Sequence, residues 1–144
     1  MDLLERARAL AACPLFADLA PAVVIRLAER ARPATLEPGE RRTTDDTVWI
    51  IVAGSLVIAS RAAMSAVASI STTRRHGGTA TAGMVLGLIR VIAPATPALD
   101  AVAEQPSTVI GVALDDIRDV LEEDPVALSA LSGALAKRLL EGTT

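Results

Sequence analysis

Apolar residues recur every three or four positions at both ends of this chain and gather in short β-branched runs between them. At the start, Leu3, Leu4, Ala7, Leu10 and Ala11 share one face of a helix over residues 3–12, with Glu5, Arg6 and Arg8 elsewhere. Cys13-Pro14 stops it, because the residue before a proline is pushed out of helical geometry. Pro14-Leu15-Phe16 reads as a tight connector. A second helix begins at Pro21, which has no N–H to leave unsatisfied, and runs to about Ala31, with Val23, Val24, Leu27 and Ala28 inward and Pro33 ending it. From residue 34 to 112 no long amphipathic helix is visible. Short β-branched runs predict strands at 34–36, 41–43, 47–53, 55–60, 66–72, 79–81, 101–103 and 107–112. Glu37-Pro38-Gly39, Asp45-Asp46, Gly54, Gly77-Gly78 and Gln105-Pro106 punctuate them. Asp45-Asp46 is expected to turn a shortened hairpin, and Leu88–Ile92 to make a single helical turn. The helical period then returns. Asp115 or Asp116 is expected to cap a short helix through Leu121. Asp124-Pro125, an acceptor followed by proline, starts a last helix carrying Leu128, Leu131, Leu135 and Leu139, with Lys137 and Arg138 complementing its C-terminal dipole.

Two helices, an all-β middle and two more helices predict an α+β, mainly β, architecture of sandwich or jelly-roll type. The expected organisation is a single domain over 1–144, with N-terminal helices at 1–33, the β region at 34–112 and C-terminal helices at 113–144. At 144 residues such a chain buries roughly 68–70% of its unfolded surface and needs no covalent staples. A single cysteine, Cys13, excludes an internal disulfide and reads as a plain buried thiol. The net charge of -3 argues against a nucleic-acid partner, which needs a concentrated basic face. The longest apolar run, 48–59, is broken by Gly54 and Ser55 and is too short for the ~20 residues of a membrane span. The N-terminus lacks a secretory apolar core, so a cytoplasmic location is the expectation. Hydrophobic residues make up 51% of the chain, which leads us to expect surface covered by a protein partner or by the remainder of a longer chain.

A further pattern lies in residue order. Leu15-Phe16 with Leu19, then Leu27-Ala28, Pro38-Gly39-Glu40 and the run from Trp49 to Val57 resemble the cyclic nucleotide-binding domain of the catabolite-activator and protein-kinase regulatory-subunit group. Gly83, Val85, Leu86 and Gly87 resemble the entry to that family's phosphate-binding cassette. Ala103 and 109–121 resemble its last strand and following helix, and Asp124-Pro125 with 136–139 its closing helix. The likeness spans nearly the whole chain and implies an eight-stranded β-roll (double-stranded β-helix) flanked by helices. The segment between Glu40 and Trp49 is shorter than the family's.

In that family a glutamate after the second cassette glycine takes the ribose hydroxyl. An arginine nine residues later pairs with the phosphate, followed by a small residue and an Ala-Thr-like pair. Carried over without a gap, the glutamate position is Leu88 and the arginine position Pro97. Ala98 keeps the small residue, Leu99 falls at the alanine, and Asp100 falls at the hydroxyl residue. The resemblance therefore implies a degenerate ligand pocket made of Gly83, Leu86, Gly87, Leu88, Arg90, Pro97, Ala98, Leu99 and Asp100. Two lost charged contacts remove ~3–6 kcal/mol, on the order of 10²- to 10⁴-fold in affinity, and Asp100 would repel a phosphate. Cyclic nucleotide is then not the expected ligand. Arg90 could reach an anion in place of the missing arginine; the plainer expectation is an arginine solvated on the roll surface.

The remaining candidates read blandly. His76, beside Arg74-Arg75 and Gly77-Gly78, is expected on an exposed hairpin loop. One histidine and one cysteine 63 residues apart make no metal set. Asp115, Asp116, Asp119, Glu122, Glu123 and Asp124 lack the alternation of a calcium loop and read as caps and a solvated face. Ser65, Ser69, Ser71 and Ser107 have no nucleophile-elbow setting or partner base, so no enzyme is expected. Gly83 and Gly87 form no dinucleotide or P-loop pattern, and no cofactor is expected. The leucine stripe of the last helix is either core or a homodimer face. With no helix-turn-helix after it, a complete DNA-binding regulator is not expected. The expectation is a regulatory or interaction module. The alternative is a small-ligand sensor that binds a cyclic nucleotide by an altered mode, or a more apolar ligand near Leu88, Pro97 and Leu99.

Overall fold

A computed structural model describes residues 1–60 and 78–142, with side chains left aside at 59, 60 and 138–142. The strand expected at 66–72, His76 with its neighbours 74, 75 and 77, and Ser65, Ser69 and Ser71 lie outside these residues.

Helix α1 (Leu3–Ala11) is capped by Asp2, whose side chain accepts the Glu5 N–H at 2.8 Å. A single 3-10 turn, Pro14–Phe16, leads to α2 (Pro21–Glu29), with proline in its first turn. This helix ends two residues before the expected Ala31, and Pro33 does not end it. Pro33 lies inside β1 (Arg32–Leu36), which is an edge strand, where a missing ladder donor is tolerated.

The strands that follow are β2 (Arg41–Thr43), β3 (Thr47–Ala53), β4 (Ser55–Ser60), β5 (Gly78–Thr81), β6 (Val85–Leu86), β7 (Leu99–Ala103) and β8 (Ser107–Ala113). Seven of them fall on sequence-predicted runs; β6, two residues long, does not. They form two four-stranded antiparallel sheets, β1-β8-β3-β6 and β2-β7-β4-β5. Strands β4 and β5, β3 and β6, β2 and β7, and β1 and β8 pair as nested hairpins. This is the jelly-roll arrangement that the spacing of the short β-branched runs implies.

Strands β2 and β3 belong to different sheets, so Asp45-Asp46 does not turn a hairpin. It carries the chain across the mouth of the roll, and the Asp46 carbonyl accepts the Leu114 N–H at 2.9 Å. Gly54 makes the opposite corner, from β3 into β4. Its φ is +97°, and a Cβ there would come within 2.2 Å of the Ser107 Oγ and 2.7 Å of the Ser107 Cα. No L side chain fits both constraints.

Two cores result. Leu36, Ile51, Leu56, Ala80, Leu86, Ala101, Ala103 and Val109 fill the space between the sheets. On the other face of the first sheet, Val48, Ile50, Ile110 and Val112 pack against the helices. Helix α3 (Leu114–Glu122) supplies Ile117, Val120 and Leu121 to that second core. Helix α4 (Pro125–Gly142) supplies Ala127, Leu131 and Leu135. The Asp124 Oδ1 caps α4 by accepting the Ala127 N–H at 3.1 Å. Neither Asp115 nor Asp116 caps α3. Ala113 holds that position and has no side-chain acceptor, while the Asp46 carbonyl accepts the Leu114 N–H; both acids lie in the first turn, where they complement the dipole. Among the described residues no helix is long and apolar enough to cross a membrane.

Candidate functional site

The sequence-predicted pocket residues occupy one continuous excursion from β6 to β7. Ile51 anchors its entry, donating its N–H to the Met84 carbonyl and accepting the Gly83 N–H, both at 2.9 Å. Gly83 (φ +91°) turns the chain into β6. Gly87 (φ +88°) turns it out again, and a Cβ there would meet the Thr44 Cβ at 2.8 Å, so this glycine is required by both conformation and contact. A 3-10 turn follows at Leu88–Val91, where the sequence predicts a helical turn.

Leu88 is fully buried in the helix-side core with Val48, Ile50 and Ile110. The carried-over acid position thus holds an apolar side chain that supports the fold. At the far end of the excursion Pro97 is exposed, Ala98 is buried, and Leu99 and Asp100 are half-buried in β7, Asp100 opposite Thr43 and Ala59. None of these four belongs to the helix-side core that holds Leu88.

Arg90 is the only cation between residues 83 and 100. It is half-buried and not spread over the roll surface. Its guanidinium donates to the Thr96 carbonyl at 3.0 Å, to the Asp45 carbonyl at 2.6 Å and to the Thr44 carbonyl. Its own carbonyl accepts from Arg118 at 3.2 Å, which ties the turn to α3. Thr44 completes the lock. It is 2% exposed; its N–H donates to the Leu99 carbonyl at 3.0 Å, and its Oγ1 accepts the Leu99 N–H at 2.8 Å. Sequence reading missed Thr44. Its only signal is a small hydroxyl residue beside Asp45-Asp46, which a turn explains equally well.

The other candidates are engaged structurally. Ser107 is buried and donates to the Gln105 carbonyl at 2.8 Å. Asp116 and Asp119 face Arg30 at 3.7 and 3.9 Å, Asp115 faces Arg118 at 3.5 Å, and Glu123 pairs with Arg26. Among the described residues no three His, Cys, Asp or Glu side chains converge as metal ligands. Cys13 is 1% exposed, and burial pushes its thiol pKa up to about 11.

Two nested four-stranded sheets, a glycine-bounded excursion between β6 and β7 and flanking helices match known structures over nearly the whole chain. The chain has the cyclic nucleotide-binding β-roll fold. A putative cyclic nucleotide-binding protein from Geobacter metallireducens superposes with a TM-score of 0.70 at 18% identity, over 98% of each chain. The sensor domain of the transcriptional regulator DNR from Pseudomonas aeruginosa gives 0.69 at 15% identity, over 98% of this chain and 93% of that one. The regulatory subunit of a cAMP-independent protein kinase A from Trypanosoma brucei, a mutant bound to cAMP in its A site, gives 0.61 at 18% identity, over 84% of this chain and 47% of that one. No protein-family model and no curated protein sequence matches the chain. At these identities the likeness concerns the β-roll and its helices, not the ligand.

Proposed function

We propose that this β-roll is a single-domain regulatory or interaction module, non-catalytic and cytoplasmic, that does not bind cAMP or cGMP in the usual way. One observation carries the reading. The sole cation of the cassette, Arg90, is engaged by three backbone carbonyls. A phosphate entering there would have to displace those bonds before gaining one. Leu88 adds to this, because an acid cannot act from a position buried in an aliphatic core. The trypanosome kinase subunit is itself described as cAMP-independent, which is in keeping with a role of this fold outside cAMP control. The module would act on a protein partner or on the remainder of a longer chain. Self-association through α4 would use the face away from Leu131 and Leu135, where Val126 is 79% exposed.

Thermal unfolding with millimolar cAMP, cGMP and cyclic dinucleotides tests this. A ligand at 100 times its dissociation constant adds ~2.7 kcal/mol and raises the midpoint by roughly 5–10 °C for a domain of this size. The proposal predicts an unmoved midpoint. A rise of that size would instead make the chain a small-ligand sensor working by an altered mode.

A further inference from the structure

A cavity of about 370 Å³ opens at the mouth of the roll and shares no residue with the cassette. Its wall is a row laid across three strands. Arg32 on β1 pairs with Gly111 on β8, and Gly111 pairs with Trp49 on β3. Directly opposed residues of antiparallel strands lie on one face of the sheet, so Arg32 and Trp49 flank a position with no side chain. The indole leans over the gap: a Cβ on Gly111 would come within 2.6 Å of the Trp49 Cζ3. The indole N–H is tied to the Thr43 carbonyl at 2.8 Å, which fixes the ring. Arg42, from the opposite sheet, holds its guanidinium carbon 5.7 Å from the ring centroid.

Charge decides what such a cavity would take. Arg30, Arg32 and Arg42 line it against one carboxylate, Asp116. Arg30 faces Asp116 and Asp119 at 3.7 and 3.9 Å and donates to the Asp116 carbonyl at 3.2 Å; Arg42 faces Glu40 at 3.8 Å and donates to the Arg41 carbonyl at 2.8 Å, so each is partly engaged. Arg32 forms no ion pair with any described residue. Three guanidiniums around a concave, aromatic-walled space of this size suit a ligand with several negative oxygens, since each guanidinium can present paired N–H donors to a carboxylate or phosphate. We infer that the cavity between β1, β3, β8 and β2 binds a compact, multiply charged anion bearing phosphate or carboxylate groups, with Arg32 as its principal partner. The inference stands apart from the loss of nucleotide binding at the cassette.

The molecule carries its own reporter. Trp49 is the only tryptophan, there is no tyrosine, and the indole lines the cavity. Inorganic pyrophosphate and citrate should each be titrated against the intact chain at constant ionic strength, following Trp49 emission. The expected result is a saturable change with at least one of them, weakened tenfold or more by Arg32→Gln, in line with the loss of one charge-assisted contact. Arg41→Gln, one residue from Arg42 but outside the cavity lining, should leave the affinity unchanged and controls for general surface charge. A change that never saturates with either anion, or one that Arg32→Gln leaves in place or Arg41→Gln weakens equally, would overturn the inference. Arg32 is exposed and pairs with no described side chain, so the variant is expected to fold; a thermal melt of each protein checks that.

Discussion

Arg90 and Arg32 lie at the same end of the roll and do opposite things. Arg90 is surrounded by the carbonyls of Thr44, Asp45 and Thr96, so its charge serves to hold two loops together. Arg32 lines a cavity and meets no acidic partner among the described residues. Each is an arginine near a polar loop in the linear order. What separates them is how many acceptors the fold brings within reach, and only an arginine with unclaimed donors can recognise something from outside.

The largest test of this contrast is Leu88→Ala. If position 88 is core and not a ligand contact, truncation should cost about 2–5 kcal/mol in urea unfolding. A cost under about 1 kcal/mol would mean that the side chain faces an open pocket. Arg90→Gln comes next. Removing a charged donor from partly exposed carbonyls should cost about 1–2 kcal/mol by the same measurement, and an unchanged midpoint would make Arg90 a surface residue after all. The thiol extends the comparison to a third engaged group. Because burial raises the Cys13 pKa to about 11 from an ordinary value near 9, the folded state holds its proton more tightly than the unfolded chain. That stabilisation is fully present below about pH 9 and is lost as pH rises through about 11, by about 2 kcal/mol. Cys13→Ala should flatten the alkaline limb of stability, and with no tyrosine in the chain phenol titration does not obscure it. The smallest effect belongs to Arg32→Gln. It should shift stability by less than about 0.5 kcal/mol, as expected of an exposed side chain with no ion-pair partner among the described residues; a loss comparable to Arg90→Gln would erase the distinction.

Local signals were legible in the sequence and pairings were not. Pro21 and Asp124-Pro125 start helices because first-turn geometry and capping involve only neighbouring residues. The β-branched run from Thr47 to Ala53 shows a strand for the same reason. Strand β6 escapes because two residues carry no period. Asp45-Asp46 looks like a hairpin turn until the sheet order shows β2 beside β7. Asp115 and Asp116 look like caps until the helix is seen to begin at Leu114, one residue earlier, which puts both inside its first turn. The family likeness singled out Gly83 and Gly87, and both adopt the positive φ of chain turns. It could not show that Leu88 turns toward the helices, that Thr44 closes against Leu99, or that Arg32 and Trp49 meet across Gly111, because each depends on residues that become neighbours only when the roll closes.

The nesting of the hairpins has a consequence for synthesis. Strand β4 can find β5 early, but β3 must wait for β6, β2 for β7, and β1 for β8, so the first strand to leave the ribosome is among the last to be paired. Until Ala113 has emerged from the exit tunnel, β1 lacks its one partner, β8, and the apolar side chain of Leu36 stays wet. A nascent chain stalled before that point would hold an open ribbon with an exposed edge, which makes completion of β8 the step that turns an aggregation-prone intermediate into a closed roll.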